Sequence, residues 1–182
     1  MLDPDELINL AMESLIDVEG LTTIRNIEKA PFIADFPGIN PLRRSKIPLF
    51  IAIHLQNCNK CKIIIPMEYS RESLIKMIEI EKEFPFEFGE LPDQFFELAY
   101  ILKISENAIE PDLNDTQESS SISSLIEKLK HIRLNKIWDG LKEMDGKAIF
   151  IGNLTRWEFN QVKVYFTGSM KEAKILQNKQ IK

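Results

Sequence analysis

The chain has 182 residues, 44% of them hydrophobic, which suffices for one ordinary domain or two small ones with a real core. A formal net charge of −5 disfavours a protein that lives by gripping phosphate backbones, and Arg43-Arg44-Ser45-Lys46 reads as a solvated basic turn. The opening MLDPDEL is acidic where a secretory signal is basic, and no apolar run approaches the ~20 residues that span a bilayer, so an intracellular soluble protein with no membrane partner is expected.

Asp3-Pro4-Asp5-Glu6 starts a helix: aspartate caps, proline takes the first helical position and Glu6 stands three residues after the cap. Leu7, Leu10 and Ala11 then form a short apolar stripe. From residue 15 to 33 the pattern is β-like, with apolar pieces at 15–18, 21–24 and Phe32-Ile33 broken by Gly20 and Pro31. A turn-rich stretch follows over 36–41. The block at 48–56 is apolar almost all round, and Pro48 with Ala52 favours a buried helical turn or two. Residues 61–65, with three successive isoleucines halted by Pro66, read as a strand. Residues 1–66 are therefore expected to form a small β-rich domain.

Helical character takes over in 67–176, with 177–182 as a tail. Ser70 caps a helix carrying Leu74, Met77, Ile78 and Glu81. Pro92 opens another, with Phe95, Leu98, Ala99 and Leu102 on one face and Phe96, Tyr100 and Ile101 beside it. The serine-rich loop around Ser119 reads as exposed. A long helix over 122–144 carries Leu125, Ile126, Leu129, Ile132, Ile137 and Leu141, with Trp138 alongside, until Asp145-Gly146 stops it. Thr155 and Glu158 form a capping box, after which Phe159, Val162, Phe166, Met170 and Ala173 share one face and Lys171 and Lys174 suit the helix C-terminus. The whole is an α+β protein: a small mixed domain, then a larger helical bundle.

Candidate chemistry is sparse. Cys58-Asn59-Lys60-Cys61 has the spacing of a redox or zinc half-site, but it trails an apolar block instead of opening a helix, and His54 and the distant His131 are the only other soft ligands. His54, inside the apolar block, reads as a satisfied structural residue. Glu79, Glu81 and Glu83 read as a solvated helix face, and no phosphate-loop, dinucleotide or metalloprotease motif is present. No catalytic residue, cofactor or metal is expected. A small thiol-redox or metal-binding protein using Cys58 and Cys61 is the alternative from a different class.

Aromatic rings carry the strongest signal. Phe84, Phe86, Phe88, Phe95, Phe96 and Tyr100 exceed what so small a core absorbs, and aromatics are enriched at interface hot spots. An obligate subunit is the physical inference, with Phe95, Phe96, Tyr100, Ile132, Trp138, Phe159, Val162 and Phe166 as candidate interface residues.

The motif order resembles a known family. Residues 47–53, then Lys60-Cys61-Lys62, Pro66 and Tyr69, are similar to the PLWLA…KC…PP-W pattern of the second Psf subunit of the GINS complex. LPDQFFELAYIL from Leu91 resembles that family's LPxxYxEIAxLLL helix, and Asn153-Leu154-Thr155-Arg156-Trp157-Glu158 its NLTxMEIN segment. Phe50 and Tyr69 stand where that family has tryptophan. The resemblance implies a non-catalytic subunit of a nuclear heterotetramer built with three sister GINS subunits. It further implies that this complex joins the MCM ring and a Cdc-type partner as the replicative helicase, meeting nucleic acid only indirectly. The third Psf subunit shares the domain order, while Lys60-Cys61-Lys62 and the NLTxxE motif favour the second.

Overall fold

A computed structural model of the protein describes residues 3–24, 38–104, 121–142 and 152–180, and of residues 103–104, 169–170 and 172–180 the backbone alone. Phe32-Ile33, the loop around Ser119, the Asp145-Gly146 stop and the side chains of Met170, Ala173 and Lys174 lie outside the described residues.

Helix α1 (Pro4–Met12) begins as its sequence dictates, the Glu6 carboxylate accepting the Asp3 backbone N–H at 2.8 Å. Leu7 and Ala11, one turn apart, are its buried face. Strand β1 (Leu15–Gly20) is the centre of a three-stranded antiparallel sheet, flanked by β2 (Arg44–Pro48) and β3 (Cys61–Ile63). Ile16 opposite Ile47 and Val18 opposite Ile63 form the inward face. Asp17 lies opposite Lys46, and Glu19 opposite Arg44 on one side and Lys62 on the other, so the outer face pairs unlike charges across strands. Arg44-Ser45-Lys46 of the basic cluster thus belong to a strand, with Arg43 in the turn before it, its N–H donating to the Asn40 carbonyl. Gly20 is required where the chain from Asn40 crosses it: an added Cβ would stand 2.5 Å from the Asn40 carbonyl oxygen.

Helix α2 (Leu49–Asn57) buries Leu49 and Ala52. The helical turn that does so points His54 into solvent, correcting its expected structural role. A short 3-10 turn at Met67–Tyr69 leads into α3 (Arg71–Glu83), where Ser70 Oγ accepts the Ser73 N–H at 3.3 Å. Helices α4 (Phe95–Ile104), α5 (Ile122–Lys142) and α6 (Arg156–Gln180) complete the described chain. One continuous core runs from Ala11, Val18 and Ile47 through Leu74 and Phe95 to Leu129.

A chain of rings ties the layers together. Tyr69 stacks on Phe95 at 4.8 Å between centroids and donates its hydroxyl to the Phe95 carbonyl at 3.0 Å. Phe95 meets Phe96 edge-on, Phe96 meets Trp157 at 5.6 Å, and Lys130 Nζ lies 4.2 Å over the Trp157 ring. The aromatic excess read from sequence is therefore partly core.

Candidate interaction surface and its buried support

The bundle is organised around a buried charge that the periodic reading missed. Arg133 on α5 is completely buried, and all five of its N–H donors have acceptors. Its Nε and Nη2 grip the Glu158 carboxylate at 2.6 and 3.0 Å; Nη1 bonds Glu81 Oε1 and the Gly89 carbonyl, and Nη2 the Asn153 carbonyl. Lys136 closes the group on Glu81 Oε2 at 2.5 Å. Two cations face two carboxylates, so the buried cluster is neutral. Burial pulls the Arg133 pKa down, but the bonds and charges of Glu158 and Glu81 outweigh it and hold the guanidinium protonated.

Glu81 is therefore a buried ion-pair partner, not part of a solvated helix face. Its place was legible: Leu74, Ile78 and Glu81 are the buried residues of α3, and Arg133 sits four residues from both Leu129 and Ile137 on the α5 stripe. A charge at a core register signals a buried partner.

The same network sets the rotation of α6. Thr155 caps it: the Thr155 N–H donates to Glu158 Oε2 at 2.8 Å, and the Glu158 N–H to Thr155 Oγ1 at 3.4 Å. Because Arg133 draws Glu158 inward, Glu158 and Val162 are buried and Phe159 turns outward to 46% exposure, correcting the expected shared face. Asn153 supplies the left-handed turn before the cap, at φ 56°, a conformation asparagine tolerates.

The eight candidate interface residues separate by burial. Phe95, Phe96 and Val162 are buried in this chain's own core. Ile132 and Phe166 are half-buried. Tyr100, Trp138 and Phe159 are exposed, as is Phe86 of the aromatic stripe, and they have company that the sequence reading overlooked in Val164 and Tyr165. Trp138 and Tyr165 meet edge-on at 4.9 Å, joining α5 to α6 across an open surface. Tyr100 borders a shallow groove between α4 and α5, lined by Phe96, Ala99, Ser123, Ile126, Glu127 and Lys130.

Glu97 stands apart. It is buried beneath this face, and neither carboxylate oxygen has a hydrogen-bond partner among the described residues. Burial raises its pKa, aided by Glu158 and Asp93 and opposed by Arg156. Cys58 is exposed, while Cys61 is buried with its thiol donating to the Ala52 carbonyl at 3.6 Å. Burial pushes the Cys61 thiol up, away from the thiolate that redox or metal chemistry uses. Among the described residues no group of three or more His, Cys, Asp or Glu is placed to hold a metal, and no helix is long and apolar enough to cross a membrane.

This architecture defines a class. Residues 68–176 match the family model described as Sld5, the GINS complex protein helical bundle domain. The chain is 34% identical over 171 residues to the probable DNA replication complex GINS protein PSF2 of Encephalitozoon cuniculi, covering 92% of this chain and 91% of that one. It is 30% identical to the corresponding PSF2 of Candida albicans, over 96% of this chain and 83% of the relative, and 29% identical to that of Debaryomyces hansenii over 96% and 82%. The chain belongs to the PSF2 family of DNA replication complex GINS proteins.

Proposed function

We propose that this chain is a non-catalytic structural subunit of a GINS heterotetramer, assembled with three sister subunits in the nucleus. In this reading the tetramer works with the MCM ring and a Cdc-type partner in the replicative helicase, during initiation and fork progression. Nucleic acid is met only indirectly, in keeping with the chain's net charge of −5.

The observation that carries the assembly reading is the exposed aromatic surface. The core is already filled by Tyr69, Phe95 and Phe96, yet Tyr100, Trp138, Phe159 and Tyr165 remain 37–55% exposed on helices α4, α5 and α6. Rings of this kind on a rigid bundle are what a hot-spot interface uses. Co-expression with the three candidate sister subunits, followed by sizing and mass determination, tests it. Co-purification at equal stoichiometry is expected; assembly of the other three without this chain would refute it.

A further inference from the structure

Four backbone carbonyls on either side of Phe86, those of Phe84, Glu87, Phe88 and Gly89, accept side-chain hydrogen bonds. Lys136 Nζ donates to the Phe84 and Glu87 carbonyls at 2.7 and 2.9 Å, Asn153 Nδ2 to the Phe88 carbonyl at 3.1 Å, and Arg133 Nη1 to the Gly89 carbonyl at 3.0 Å. The Gly89 N–H in turn donates to Glu81 Oε1 at 3.0 Å. The Phe88 ring packs under both cations, 5.1 Å from the Arg133 guanidinium and 5.6 Å from Lys136 Nζ.

What this rigid segment presents is Phe86, 87% exposed, with Phe84 at 47% beside it. A ring held out by a fixed backbone has little ordering entropy left to lose on binding. Around it stand the exposed carboxylates of Glu83, Glu87 and Glu90, against the single exposed cation Lys82 in the same stretch. Charge complementarity therefore asks for a basic-rimmed partner, and a second copy of this chain, at −5 net charge, offers like charge instead. The pinning groups sit on α5 and on the turn entering α6, the two helices that also carry the exposed Trp138–Tyr165 pair.

We propose that Phe86 is a preorganised anchor that inserts into an apolar pocket rimmed by Lys or Arg on a sister subunit of the same complex. The proposal rests on the assembly reading above and adds a surface that reading does not use. In the co-expressed four-subunit complex, benzoylphenylalanine at position 86 should photo-crosslink to one sister-subunit segment containing Lys or Arg. Phe86→Ala should weaken that subunit's association about thirtyfold, the scale of a hot-spot ring. Glu87→Lys should weaken it further as salt is lowered, because like charges are screened less. Phe86→Ala should leave the chain's own melt unmoved, since Phe86 is 87% exposed. Crosslinks confined to this chain or to a second copy, with affinity unchanged by Phe86→Ala, would overturn the anchor while leaving assembly standing. Failure of the wild-type chain to co-purify would overturn both.

Discussion

Arg133 and Glu158 lie 25 positions apart in sequence and 2.6 Å apart in space, both fully buried, and their bond fixes α6 against α5. The pair is bidentate, and Glu158 also caps its own helix, so one carboxylate serves both local and tertiary structure.

Removing one side of this cluster strands the other. Arg133→Met should cost about 3–5 kcal/mol, because it leaves the buried Glu158 carboxyl without its ion-pair partner. Glu158→Met should cost similarly, while the double variant should lose clearly less than the sum. A double-mutant cycle on the melting of the co-purified complex measures this; strict additivity would mean that the two residues do not act as a pair.

Thr155→Ala should destabilise α6 by about 0.5–2 kcal/mol, the usual worth of an N-cap. Thr155→Ser should recover most of it, since the hydroxyl that accepts from Glu158 N–H is restored. The check is the melting temperature of the assembled complex, and an unchanged melt for the alanine variant would place the start of the helix elsewhere.

Glu97 gives a pH signature. Its folded pKa is raised by burial, so its favourable contribution is present in the acid range below the ordinary carboxylate pKa and is lost as pH rises through the raised value. The neighbouring charges are Arg156 and Glu158 on α6 and Asp93 before α4. Glu97→Gln, which cannot ionise, should be the more stable protein at pH 7–8, because it removes the need either to ionise a buried carboxyl or to keep it protonated there. The gain should vanish toward pH 4. A variant equally stable to wild type across this range would show that Glu97 finds a partner in solution.

Much of this was written into the sequence, for local reasons. The caps at Ser70 and Thr155, the strand pattern at 15–18 and the α5 stripe depend on neighbours a few residues away, and each forms where its residues direct. What depends on residues far apart in the chain was not legible. Phe96 and Tyr100 lie side by side on one helical stripe, but Phe96 meets Phe95 and Trp157 and is buried while Tyr100 stays 53% exposed. Phe159 belongs to the apolar face of α6 until Arg133 claims Glu158 and turns the helix. Five of the eight candidate interface residues are buried or half-buried in this chain, and exposed Tyr165 was not among the eight.

That partition between core and surface makes a contrast. Phe95→Ala should cost about 3–5 kcal/mol of stability through the cavity it leaves. Tyr100→Ala, removing a ring that is 53% exposed, should stay within ±0.5 kcal/mol for the fold. Soluble yield and melting temperature separate the two, and equal losses would place Tyr100 in the core after all.

The most direct test of the assembly account is the native mass of the complex recovered by co-expression with the three sister subunits. Wild type should give the mass of one copy of each subunit. The combined variant Tyr100→Ala, Trp138→Ala and Tyr165→Ala should keep the fold yet fail to hold the fourth subunit. A triple variant recovered at full four-subunit mass, with wild-type affinity, would contradict the claim that this exposed aromatic surface is what the protein assembles through.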